Sequence, residues 1–120
     1  MDHLSAIADR CRRSAPSADY WSLRLVSEES DELAVRQRVT EPSVLGSSLG
    51  VFLTLVRGAG IGYGATSDLS AAGLAAAWER AAGWADLHAR LGLFDGGLYP
   101  RSSLRAEYAS PVAEPWESLS

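Results

Sequence analysis

Gly50-Val51-Phe52-Leu53-Thr54-Leu55-Val56-Arg57-Gly58-Ala59-Gly60-Ile61-Gly62-Tyr63-Gly64-Ala65-Thr66-Ser67-Asp68-Leu69-Ser70 is the stretch on which the fold turns. Leu49, Val51, Leu53 and Leu55 point one way, and Phe52, Thr54 and Val56 the other. A strand apolar on both faces belongs inside a sheet. Arg57-Gly58-Ala59-Gly60 supplies a tight turn. Ile61, Tyr63 and Ala65 then form a second strand whose other face is Gly60, Gly62 and Gly64. Side-chain-free positions at alternate residues indicate close approach of another backbone or element. We further expect this smooth face and its turn to lie near a domain or subunit interface, so that a bulky residue at Gly62 would disrupt assembly.

Downstream, Asp68 or Ser70 is the N-cap of a long helix. Leu74, Ala77, Trp78, Ala81, Trp84 or Ala85, and His88 or Leu91 keep helical spacing to about residue 91, where Gly92 ends it. From Phe94 the chain is irregular, interrupted by Gly96-Gly97, Pro100, Pro111 and Pro115. Upstream, Leu4, Ile7, Ala8 and Cys11 make one stripe of a short helix over residues 2 to about 14, with Arg12 and Arg13 in its last turn. Trp21, Leu23 and Leu25 alternate with Ser22 and Arg24, a half-buried strand. Glu28 to Glu32 reads as an acidic turn. Leu33, Val35 and Val39 read as the returning strand of a first hairpin, and residues 40–48 as a polar loop.

The expected architecture is α+β. It has an N-terminal helix, two β-hairpins forming one antiparallel sheet, a long helix packed on it, and an irregular tail. Residues 1–93 make the domain and residues 94–120 the tail.

Composition narrows the function. The 120 residues carry 11 basic and 15 acidic groups, a formal net charge of -4. All the basic residues are arginines. An acidic chain lacks the basic stripe that nucleic-acid binding requires, and no lysine is present for Schiff-base chemistry. No apolar run approaches a membrane span. Cys11 is the single cysteine, and the N-terminus lacks the apolar core of a signal peptide. The expected location is cytoplasmic.

Several motifs fail on context. Gly46-Ser47-Ser48-Leu49-Gly50 matches the serine-hydrolase elbow, but that elbow needs a strand before it and a helix after it. Here a loop precedes and a strand follows. Gly60-Ile61-Gly62-Tyr63-Gly64-Ala65 matches a loose dinucleotide fingerprint, yet it does not open a helix. His3 and His88 lack a metal-ligand partner three or four residues away. His88, near a helix end, reads as a packed or capping histidine. Glu28, Glu29, Asp31 and Glu32 are a solvated cluster rather than an acid–base pair. Trp21 and Trp78 read as core. Trp116, between prolines, is the candidate for docking on something outside the chain. No catalytic, cofactor-binding or metal-binding residue is expected.

Asp19-Tyr20-Trp21-Ser22-Leu23-Arg24-Leu25, Leu33-Ala34-Val35-Arg36 and the 50–70 stretch together resemble the N-terminal domain of the TldD/PmbA metallopeptidases, also known as modulators of DNA gyrase. The most specific part is the pair of strands with the Thr66-Ser67-Asp68-Leu69-Ser70 lead into an alanine-rich helix continuing through Ala81, Ala82 and Ala85. Tyr108-Ala109-Ser110-Pro111-Val112 extends the resemblance into the tail, nearer the TldD branch.

The resemblance implies a zinc centre in a separate C-terminal domain bearing H-E-x-x-x-H, a motif missing from this sequence. It therefore implies a non-catalytic part, inactive alone, whose partners are the catalytic domain and an identical or paralogous subunit. Together these would enclose a channel for unfolded peptides. The final residues, resembling the start of a helix, suggest a piece of a longer polypeptide rather than a naturally short protein. The alternative is a stand-alone interaction module without metal or enzymatic activity.

Overall fold

The computed structural model describes residues 2–101, 103–115 and 118; the side chain of Asp2 is not among them. Trp116 lies outside the described residues, as do Glu117, Leu119 and Ser120. The elements run α1 (Asp2–Ser14), β1 (Tyr20–Glu32), β2 (Val35–Arg36), β3 (Val39–Thr40), β4 (Val44–Arg57), β5 (Gly60–Thr66), α2 (Ala71–Leu91) and a short 3-10 turn, Gly96–Leu98. The class is α+β.

The chain divides into two compact units. The first comprises residues 1–28 and 47–100. Its sheet runs in the order β1-β4-β5, with β4 in the middle, as its two-sided apolar pattern requires. β4 and β5 are antiparallel, pairing Val51 with Thr66 through Arg57 with Gly60. The Asp19 N–H, just ahead of β1, donates to the Val56 carbonyl near the end of β4 at 2.9 Å. The start of β1 thus lies beside the end of β4, so these strands also run antiparallel.

One sheet face carries Trp21, Leu23 and Leu25 from β1, Val51, Leu53 and Leu55 from β4, and the glycines of β5. α2 covers that face with Leu74, Ala77, Trp78, Ala81 and Ala85, all buried. α1 adds Ile7 and Cys11 to the same core. Trp78 stands edge-on to Trp21, with centroids 5.7 Å apart. Its indole N–H donates to the Cys11 carbonyl at 3.0 Å, satisfying the one polar atom of the largest core side chain.

The opposite face is only partly covered. The 3-10 turn lies over its end, with the Gly96 N–H donating to the Ala59 carbonyl. Phe52 and Tyr63 stack side by side on the rest, their centroids 5.3 Å apart and both rings exposed. Two-sided apolarity in β4 therefore signals the central position, not burial on both faces.

The second unit comprises residues 29–46 and 101–120. It contains the two-residue ladder of β2 with β3, pairing Val35 with Thr40 and Arg36 with Val39. The connecting residues Gln37 and Arg38 both have positive φ, 52° and 67°. The described residues from Arg101 to Pro115 have no helix or strand.

Two expectations are corrected here. Glu28 to Glu32 is not a turn: β1 continues through it, because a backbone ladder needs N–H and C=O groups, not apolar side chains. The strand returning beside β1 is β4, not residues 33–39. Those residues and 40–48 instead supply the separate β2–β3 ladder and the start of β4.

Candidate functional site

The glycine face of β5 is the tightest junction in the first unit. A methyl group added at Gly60, Gly62 or Gly64 would overlap the carbonyl of Ala85, Ala81 or Ala77 respectively. The close approach expected from the glycines is real, and the approaching element is α2 of the same chain. The glycines are therefore explained by the chain's own helix, which fills this face. The adjoining turn is also occupied internally: Gly58 accepts a close approach from Gly97 and donates its N–H to the Asp19 carboxylate at 2.6 Å.

The small-to-small contact draws α2 down until its flank reaches the outer edge of β5. Arg80, Trp84 and His88, four residues apart, form a row along that flank. The Arg80 guanidinium donates to the Ala65 carbonyl at 2.8 Å. The Ile61 N–H donates to His88 Nδ1 at 2.9 Å. Since Nδ1 accepts, the neutral ring carries its proton on Nε2. Nε2 is buried with no hydrogen-bond partner among the described residues, and the ring lies 4.3 Å from that of Phe94. Of the two roles its place near a helix end suggested, His88 takes the packed one: its ring serves the edge of β5, while Gly92 closes the helix. Trp84, between Arg80 and His88, is 60% exposed, and Ala85 takes the buried helical position.

Beside this row is an apolar groove of about 390 Å³, lined by Ile61, Gly62, Tyr63, Trp84, Leu87, His88, Leu91 and Leu93. A second, shallower hollow lies across the open sheet face by Arg24, Val26 and Phe52. The first groove combines exposed Trp84 and Leu91 with the free edge of β5, and sequence periodicity did not reveal it. The available signal was Trp84-Ala85, where two adjacent residues both fit the apolar stripe and only one can face the glycines.

Other candidates are dispersed. Ser47 and Ser48 lie within β4, and the Gly60–Ala65 motif is β5 itself. Neither has the strand-to-helix geometry of its motif. His3 is exposed on α1. Cys11 is fully buried, and burial pushes its thiol pKa up, with Arg10 opposing weakly. That is the reverse of an activated thiolate. Arg57 pairs with Asp86 at 3.2 Å and also holds the Ser17 carbonyl. Among the described residues no three His, Cys, Asp or Glu gather where they could hold a metal ion. No helix among them is long and apolar enough to cross a membrane.

This architecture defines a two-layer α+β domain built on a glycine-faced hairpin and an alanine-rich helix. Residues 21–85, just over half the chain, match the family described as PmbA/TldA metallopeptidase domain 1. The chain belongs to that family. The matched span runs from the start of β1 to the Ala85 contact, so it takes in the sheet and the helix–glycine junction. No curated protein and no solved structure matches the chain significantly.

Proposed function

We propose that this chain is the non-catalytic N-terminal part of a TldD-like zinc metallopeptidase, acting in the cytoplasm as a scaffold and substrate-access element. The observation that carries the reading is the family match over β1 to α2. Among the described residues no ligand set fits a zinc site. His88 Nδ1 is already committed to Ile61, Cys11 is sealed in the core, and His3 is exposed on α1. No hydrolytic step is therefore assigned to these residues. Zinc and its general base belong, on this reading, to a C-terminal domain carrying H-E-x-x-x-H.

The partners proposed are that catalytic domain and a second, identical or paralogous subunit, which together admit unfolded peptide. The test is reconstitution with a TldD-type catalytic domain expressed separately. Co-elution of the two chains, with peptide hydrolysis dependent on both, is the expected result. A catalytic domain that assembles and cleaves equally well without this chain would refute the role. The exposed groove beside β5 favours a second reading, an interaction module that needs no peptidase partner; binding without any effect on hydrolysis would support it.

A further inference from the structure

The free edge of β5 can be read from its hydrogen bonds. In an antiparallel pair, residues alternate between exchanging both main-chain bonds with the partner strand and turning both away from it. The Ile61 N–H goes to His88 and the Ala65 carbonyl to Arg80, so both residues face away from β4. Tyr63, midway between them and opposite Thr54, must do the same. Its N–H and C=O therefore point out along the sheet edge, and neither has a partner among the described residues. At this middle position the helix presents Trp84 in place of a capping group, together with the apolar groove.

We infer that the Tyr63 edge is a strand-addition site for an extended peptide segment. The occupant is identified by the two kinds of group exposed together. A lone donor and acceptor on a strand edge are matched by one residue of another main chain, which gives its own N–H and C=O in return. Side chains on either side of that residue point towards α2, where Trp84, Leu87 and Leu91 offer an apolar surface. The preferred segment thus carries large apolar residues flanking the one paired with Tyr63. His88 and Arg80 close the edge at both ends, which restricts pairing to one reciprocal pair of bonds. That restriction admits a short segment and blocks the open-ended edge-to-edge pairing that leads to aggregation. The site stands independently of the scaffold role proposed above, since it uses only groups within this chain.

The probe is a short blocked peptide of alternating leucine and threonine with threonine at its centre, added to the full chain. Tyr63 amide exchange and Trp84 fluorescence are the readouts. Binding should protect the Tyr63 amide and shift the Trp84 emission. The same peptide N-methylated at the central threonine should bind at least about fivefold more weakly, the loss expected for one net hydrogen bond. Tyr63→Pro removes the outward N–H at an edge position where proline is tolerated, and should weaken binding of the unmodified peptide similarly. If that variant does not fold, the peptide pair still decides. Equal binding of both peptides, no binding at all, or a free chain that is already dimeric with a protected Tyr63 amide would each overturn the inference.

Discussion

At Gly62 a single methyl group is too much. The added carbon would overlap the Ala81 carbonyl, which belongs to helix backbone and cannot rotate away. The helix would have to lift from the sheet, so Gly62→Ala should cost about 3 kcal/mol or more, at the upper end for overpacking. Gly83 is the opposite case. It lies on the same helix with nothing within 4 Å of an added Cβ, so Gly83→Ala should gain about 1 kcal/mol from helix propensity alone. Denaturant midpoints of the two variants should move in opposite directions. Cys11 supplies a second residue-scale expectation. Its folded pKa is raised by burial, so above the ordinary thiol pKa of about 8.5 the unfolded chain ionises while the folded chain keeps its proton. The unfolded state then binds fewer protons, and stability falls as pH rises through that window towards the folded value. A thiol reagent should label Cys11 at the rate of global unfolding; rapid labelling of the native protein would contradict its burial.

Among the elements, α2 has both ends specified by single residues. The Ser70 side chain accepts from the Gly73 N–H at 3.1 Å, and Gly92 closes the helix at φ 62° with its N–H on the His88 carbonyl. Ser70→Ala should lower stability by about 1 kcal/mol, and Gly92→Ala by about 1–2 kcal/mol, the cost of a left-handed conformation with a Cβ. Asp68 receives hydrogen bonds from the Ser70 hydroxyl and backbone N–H, which hold its carboxyl below the usual range. That support is present above the ordinary carboxylate pKa and fades as pH falls through the folded value. The β2–β3 turn should respond the other way. Gln37 and Arg38 occupy a conformation suited to Asn-Gly, so Arg38→Gly should tighten the local ladder, seen as slower amide exchange at Arg36 and Val39, the pair whose main-chain groups face each other.

The Gly92 cap of α2, the central place of β4 and the smooth face of β5 were legible in the sequence, and the N-cap was narrowed to Asp68 or Ser70, because each depends on local chemistry at a named residue. The acidic half of β1 was not, since main-chain pairing leaves no mark in side-chain polarity. The candidate site was half legible. Gly60, Gly62 and Gly64 announced a close neighbour but not its identity, and Trp84 against Ala85 could not be decided until the glycines were seen to demand the smaller residue.

For the whole molecule, the family assignment and the scattered histidines lead to one simple expectation. Adding zinc, or removing trace metal with a chelator, should leave the thermal midpoint of this chain unchanged, because no ligand trio exists among the described residues to bind it preferentially in the folded state. A substantial metal-dependent shift would show a site outside those residues and would reopen the division of labour proposed here. Trp78→Ala tests the other whole-molecule property, the dependence of both helices and the sheet on one shared side chain. It should cost about 3–5 kcal/mol and abolish the cooperative transition if the reserve is smaller than that.

The contact between α2 and β5 also works as a vernier. Two residues of strand advance about 6.7 Å, and four residues of helix about 6 Å. The scales nearly coincide at Gly60 with Ala85, Gly62 with Ala81 and Gly64 with Ala77, drifting by less than 1 Å per step. A shift of the helix by anything short of a full step drives carbonyls against strand backbone, and a full step brings Trp78 and Leu74 out of their places. The junction therefore has one setting. That single setting holds Arg80, Trp84 and His88 opposite Ala65, Tyr63 and Ile61, so the exposed edge is aligned by atoms that never touch it.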